Sequence, residues 1–252
     1  MKKESLKFSG EILDSLVVIV LLTLIFAYND RKDVTTLASW VGNLVRTFVI
    51  TAISVQMLIL GYKLAAKYYR VSLNFNLWRI QEQEKKISLK AFHIPLPTYI
   101  GQIIAVIITV VTSGLQYFTA ISNFSLDTER IDRKYKYVRD HEASRIAIAG
   151  LIFSSIALIF FMLINSKTGV LVNTWIIIGN LIPFSTLPGN YIAMHSRTTY
   201  VFAAVLAIIF LILIGFISIK VALLLALIVA VILALVYFRY IEYGKEMFSE
   251  RF

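Results

Sequence analysis

The side chains that could do chemistry in this chain are few and scattered. Its 252 residues include three histidines and no cysteine, so thiolate metal sites, cysteine nucleophiles and disulfides are ruled out together. His93, His141 and His195 lie in separate segments without the spacing that places two imidazoles on one helix face. They are expected to be isolated surface residues rather than zinc ligands. Ser54 with Lys63 is a formal nucleophile and base pair, yet apolar spans of this length carry Ser and Lys for other reasons. A Gly-rich phosphate loop and paired intramembrane carboxylates are both missing, which weighs against nucleotide hydrolysis and proton-coupled transport. Gln56, Thr109, Thr112, Gln116, Asn173 and Asn180 lie within apolar stretches. They could line a solute path, but such residues more often hydrogen-bond between helices.

The elements that must position these residues are apolar and long. Hydrophobic residues make up 58% of the chain and charged residues 16%, with a mean hydropathy of +0.77. A single water-soluble core could not hide that much apolar surface, so lipid must be the main solvent. About 20 residues at 1.5 Å rise cross roughly 30 Å of hydrocarbon. By that measure the chain reads as an all-α polytopic membrane protein, a single transmembrane domain of six or seven spans. They fall at about 12–28, 47–69, 99–118, 145–164, 170–184, 200–217 and 220–238. The basic start imitates a signal peptide, but Phe26, Ala27 and Tyr28 offer no small-x-small cleavage site, so the first span is expected to stay as an anchor. The fifth span is short because Pro183 and Pro188 stop helix propagation. The polar stretch from Asn180 to Asn190 should therefore lie at an internal site. The last apolar run is too long for one helix, and a hairpin near Gly215 to Lys220 is expected.

Two polar loops connect the spans. In 71–97, alternating Val71, Leu73, Phe75 and Leu77 suggest a short strand at the membrane surface. In 122–145, mixed charges from Asp127 to Glu142 suggest a solvated helix, with a docking surface as the lesser reading. The formal net charge of +10 comes from basic residues at span ends, where they snorkel and set orientation; no nucleic-acid partner is expected. The same bias places the N-terminus and loop 71–97 on the cytoplasmic side of the cell membrane.

Three segments, in order, resemble the site-2 protease family of intramembrane zinc metalloproteases, particularly its archaeal branch. Leu60, Gly61, Tyr62, Lys63, Leu64, Ala65, Ala66 and Lys67 stand where that family has HELAHK at the end of a helix. Arg145, Ile146, Ala147, Ile148, Ala149 and Gly150 are similar to GKIALAGP. Val172 to Trp175, followed by Gly179 to Gly189, looks like NAW...FNLLPFxxLDG, and Glu11, Ile12, Leu13 and Asp14 look like an ELLDL opening. The resemblance implies a three-helix core from the second, fourth and fifth spans, with a membrane-associated strand region between the second and fourth.

The resemblance also exposes what is missing. An HExxH helix binds zinc through two histidines one turn apart, while its glutamate activates the bound water. The matching positions here are Tyr62, Lys63 and Ala66, and the aspartate of LDG corresponds to Pro188. Zinc is expected to be lost, leaving no catalytic residue, no metal site and no cofactor. The groove that would receive an unwinding client can outlive the metal, since its shape rests on packing. By resemblance it would involve Asn180, Pro183, Leu187 and Gly189, with Val71, Leu73 and Phe75 on the strand. The plainer reading is that Asn180 bridges helices and the prolines merely end a span. The expected function is thus an inactive, site-2-protease-like membrane protein, embedded in the lipid bilayer, that binds other membrane proteins or serves in a membrane complex. The alternatives are a small transporter or channel and a residual intramembrane metalloendopeptidase.

Overall fold

The chain folds as a bundle of apolar helices with a two-stranded sheet at one end. The computed structural model describes residues 2–28, 37–79, 99–126, 138–184 and 186–242. Helices α1 (Lys2–Ala27) and α2 (Leu37–Tyr68) come first, followed by β1 (Leu73–Leu77), α3 (Ile100–Val111) and β2 (Ser122–Leu126). Then come α4 (Asp140–Leu163), α5 (Lys167–Leu181), α6 (Pro188–His195), α7 (Arg197–Leu213) and α8 (Ile219–Tyr237), which runs into a π-helical turn, Phe238–Glu242.

Among the described residues four helices are long and apolar enough to cross a membrane, at Gly10–Ala27, Ala38–Tyr68, Asp140–Leu163 and Ile219–Tyr240. That makes the protein membrane-embedded; the expected six or seven spans are not reached among the described residues. The fifth apolar stretch falls short because α5 ends at Leu181, where Ile182 turns extended ahead of Pro183. The sixth is the 17-residue α7, about 25 Å long. The break between α7 and α8 falls at residues 214–218, where the hairpin was expected.

The stretch 99–118 is not one helix. Helix α3 has 12 residues, about 18 Å, and is stopped by Ser113 and Gly114, both with positive φ. The chain then returns as extended backbone to β2. Trp78 N–H donates to the Ile121 carbonyl at 2.9 Å, and Gln102 Nε2 reaches the carbonyls of both Trp78 and Ile121. The segment therefore comes back to the point at which β1 leaves the sheet. Its return limb is sandwiched: Tyr117 packs on Phe26 of α1, and Thr119 Oγ1 donates to the Trp175 carbonyl of α5. Hydropathy could not separate this hairpin from a span, because both are continuously apolar.

The strand expected in 71–77 forms, and its partner lies where a solvated helix was expected. Strands β1 and β2 are antiparallel, with Phe75 opposite Phe124. Ser122 to Leu126 are thus corrected from helix to strand: alternate residues Ser122 and Phe124 are buried, the period of a sheet rather than a helix. Among the described residues of this loop, helix is found at α4, where the Glu142 carboxylate accepts the Arg139 N–H. The charged residues 127–137, and 80–98 with Arg79's basic neighbours Lys85, Lys86 and Lys90, lie outside the described residues.

Helices α1 and α2 are antiparallel. Thr23 and Thr51 hydrogen-bond at 2.7 Å near one end, and Glu11 meets Lys63 near the other. Helices α2, α4 and α5 pack against one another, and the alanine stripe of α8, Ala222, Ala226 and Ala230, is buried. The sheet lies at the Glu11 and Lys63 end. The α7 to α8 turn lies at the opposite end, because α7 starts beside α6 and the start of α4, where His195 meets His141. The chain has no cysteine, so single cysteines can test this. Ser125→Cys and Ile217→Cys should react with a membrane-impermeant thiol reagent from opposite sides of sealed vesicles; labelling from the same side would contradict the topology.

Candidate functional site

The end of α2 is shaped by a left-handed residue. Arg70 has φ 54°, and the Val71 N–H reaches back to the Ala66 carbonyl at 2.9 Å, a Schellman-type stop that turns the chain into β1. One turn of α2 then faces inward with Tyr62 and Ala66, while Lys63 points outward with 45% of its side chain exposed.

Tyr62 is fully buried at the meeting point of five elements. From α4, Gly150 presents bare backbone to its ring: a Cβ there would lie 2.0 Å from the Tyr62 Cε1. Gly61 makes the same kind of approach, with the Ala149 carbonyl 2.7 Å from where its Cβ would be. From α5, Asn180 Oδ1 accepts the Tyr62 hydroxyl at 3.1 Å, and its Nδ2 donates to the Ile176 carbonyl at 2.8 Å. The amide is thereby oriented with its oxygen toward the phenol. From β2, Phe124 packs on the Tyr62 ring at 4.9 Å between centroids, and from α6, Tyr191 stacks on Phe124 at 5.4 Å. Two helical turns away, Asn173 Nδ2 donates to Ser54 Oγ at 2.9 Å. A second interhelical bond thus ties α2 to α5 on the same seam.

Lys63 takes no part in this cluster. Its ammonium pairs with Glu11 of α1 at 2.9 Å. The same Glu11 Oε1 accepts the Phe75 N–H at 3.4 Å, and Asp14 accepts the Leu77 N–H and the Arg79 guanidinium, each at 3.4 Å. Phe75 and Leu77 are the β1 residues whose N–H groups point away from β2, so two α1 carboxylates stand along the strand's outer edge.

These residues do not suit a divalent cation. Tyr62 spends its hydroxyl proton on Asn180, Lys63 is a cation, Ala66 ends in a methyl group, and Pro188 is buried at the first turn of α6 with no donor atom. Among the described residues no three of His, Cys, Asp or Glu gather. Ser54 and Lys63 do not form a catalytic pair either: the Ser54 hydroxyl donates to the Ile50 carbonyl, and Lys63 is held by Glu11. The histidines need a correction. His141 and His195 are not isolated but lie 6.0 Å apart between ring centroids, because α6 folds back on the start of α4. His93 lies outside the described residues.

The candidate groove residues divide. Asn180 is in the Tyr62 cluster, while Leu187 is buried with Trp78 and Ala120. Gly189 lies against the Leu181 and Ile182 backbone, leaving no room for a side chain. Val71, Leu73 and Phe75 face the core, and Pro183 is exposed. Sequence reasoning missed the aromatic stack of Tyr62, Phe124 and Tyr191, and the strand-edge role of Glu11 and Asp14. The one available signal was two carboxylates three residues apart at the head of an apolar span.

No family model, curated protein or solved structure matches this chain. The site must therefore be read from its own chemistry, which is that of a packing centre with one oriented amide.

That centre is testable by volume. Gly150→Ala forces a methyl into the Tyr62 ring and should destabilise the protein by about 1–3 kcal/mol, the usual cost of overpacking. Combining it with Tyr62→Leu, which clears the space, should cost measurably less than the sum of the two single changes. Denaturation in mild detergent reads this out, and strict additivity would separate Gly150 from Tyr62.

Proposed function

We propose that this chain is a membrane-embedded binding protein without hydrolytic chemistry, a site-2-protease-like framework that holds other membrane proteins or serves as a subunit of a membrane complex. The observation that carries the reading is Tyr62. At the position where the resembling family places a zinc ligand stands a phenol, buried and hydrogen-bonded to Asn180. The partners of Lys63 and the placement of Pro188 support it in the same way.

Two further features suit binding. A cleft of about 560 Å³ between α4, α5, α7 and α8 is lined almost wholly by apolar side chains, including Ile152, Ile156, Phe202 and Leu227. Its hydroxyls at Ser155 and Thr174 are bonded to their own helices and that of Thr199 to Ser196, so it offers hydrocarbon contact rather than a polar path. The Asn173 Nδ2 and the Asn180 Oδ1, on candidates for a solute path, are likewise engaged in interhelical bonds, which favours binding over transport. An extended client adding to β1 must displace Glu11 and Asp14 from the strand edge. The amino-terminal end of α1 and the sheet share one end of the bundle, and in this reading that end faces the cytoplasm.

Purified full-length protein supplied with zinc should hold no stoichiometric metal. Companion membrane proteins recovered from native membranes should increase when Glu11→Ala and Asp14→Ala are combined. One zinc per chain, lost on Tyr62→Ala or Pro188→Ala, would overturn the proposal.

A further inference from the structure

Among the described residues, Ser144, Ser154 and the Asn173 Oδ1 are unpaired but buried in the bundle; Gln56 is unpaired on its outside. Thr109 and Thr112 donate to carbonyls one turn back in α3, Asn173 and Asn180 bridge α5 to α2, and Gln116 sits in the turn after α3. The Gln56 side chain is exposed on the outer surface of α2 and has no hydrogen-bond partner among the described residues. Its depth is bracketed by Thr51, bonded to Thr23 of α1, and by Lys63, paired with Glu11. That places it near the middle of the stretch that α1 and α2 share. A carboxamide facing hydrocarbon there lacks both water and protein partners, at a cost of some kcal/mol for each unmet group.

Its neighbours form a seam. Gly42, Arg46, Val49, Ile53, Gln56, Leu60, Lys63 and Lys67 follow one another at steps of four and three, the spacing of a heptad contact line, and every one of them is exposed. Around Gln56 the surface is recessed by about 510 Å³, between Ala52, Ile53, Met57, Leu60 and Lys63, a shape that receives knobs from a facing helix.

We propose that this seam is the interface of a homodimer, α2 against α2 of a second copy, registered by a Gln56 to Gln56 hydrogen bond. Copies of one protein insert in a membrane with one orientation, so a two-fold axis along the membrane normal sets identical helices parallel and each residue opposite itself. The carboxamide carries both donor and acceptor and is therefore complementary to its own copy, which no other exposed side chain within the apolar part of this seam is. Arg46, Lys63 and Lys67 would face their counterparts toward the two ends of the span, and of the three Lys63 is paired with its own Glu11 at 2.9 Å. Between Val49 and Leu60 Gln56 is the one polar residue of the line, and a lone polar residue in an apolar heptad stretch fixes register and oligomeric state. This inference does not depend on the proposed function.

The full chain, reconstituted at low density in lipid vesicles and counted by single-molecule photobleaching, should be dimeric. Gln56→Leu, a change on the lipid-facing surface that the fold tolerates, should weaken dimerisation by about 3- to 10-fold, and Gln56→Asn should retain most of it. Val49→Cys and Leu60→Cys should cross-link to their own copies far faster than Leu224→Cys on α8. A monomer in vesicles, a Gln56→Leu variant that dimerises as tightly as the parent, or cross-linking at Leu224 equal to that at Leu60 would each overturn the proposal.

Discussion

The close crossing of α2 over α4 is the contact on which the rest of the bundle depends. Gly61 and Gly150 remove the side chains that would keep the two backbones apart. Without a hydrophobic drive between helices in lipid, such close packing is a main source of association. The approach leaves one pocket of fixed size against Gly150, and Tyr62 fills it. Because the ring is held there, its hydroxyl points at α5 and finds Asn180, and its far face meets Phe124 on the sheet. One steric allowance thus positions a third helix and the strand pair.

The second constraint is hydrogen bonding of buried extended backbone. Such backbone is tolerated only when protein supplies the partners that water cannot. In this chain they come from side chains. Glu11 and Asp14 take the outward N–H groups of β1, Gln102 bridges the point where the α3 segment leaves and rejoins the sheet, and Thr119 reaches the Trp175 carbonyl. The carboxylates of α1 also balance Lys63 and Arg79. Lys63, a cation near the end of an apolar helix, is therefore half of an ion pair that anchors the first helix.

What the sequence disclosed and what it withheld follow from the same physics. Long apolar blocks identify helices in lipid, so α1, α2, α4 and the α7 to α8 break were legible, as was the alternation of Leu73, Phe75 and Leu77. The end of α5 was legible because Pro183 and Pro188 act locally. The α3 hairpin was not, since hydropathy measures transfer into hydrocarbon and a returning limb buried against α1 and α5 scores like a helix. Strand β2 was hidden because five residues beside a charged run carry too little period to stand out, and its identity depends on a partner about fifty residues earlier. At the site, the residue types of Tyr62, Lys63, Ala66 and Pro188 were legible. That Tyr62 binds Asn180, and that His141 meets His195, depends on which helices become neighbours, which spacing along the chain does not encode.

The most direct test of Tyr62 as an interhelical bridge is a double-mutant cycle of Tyr62→Phe and Asn180→Leu, followed by reversible unfolding in detergent. The 3.1 Å bond between the two should appear as a coupling of about 0.5–2 kcal/mol, the range found for hydrogen bonds between membrane helices. Independent, additive losses would contradict it and return Tyr62 to the role of a spectator in the α2 core.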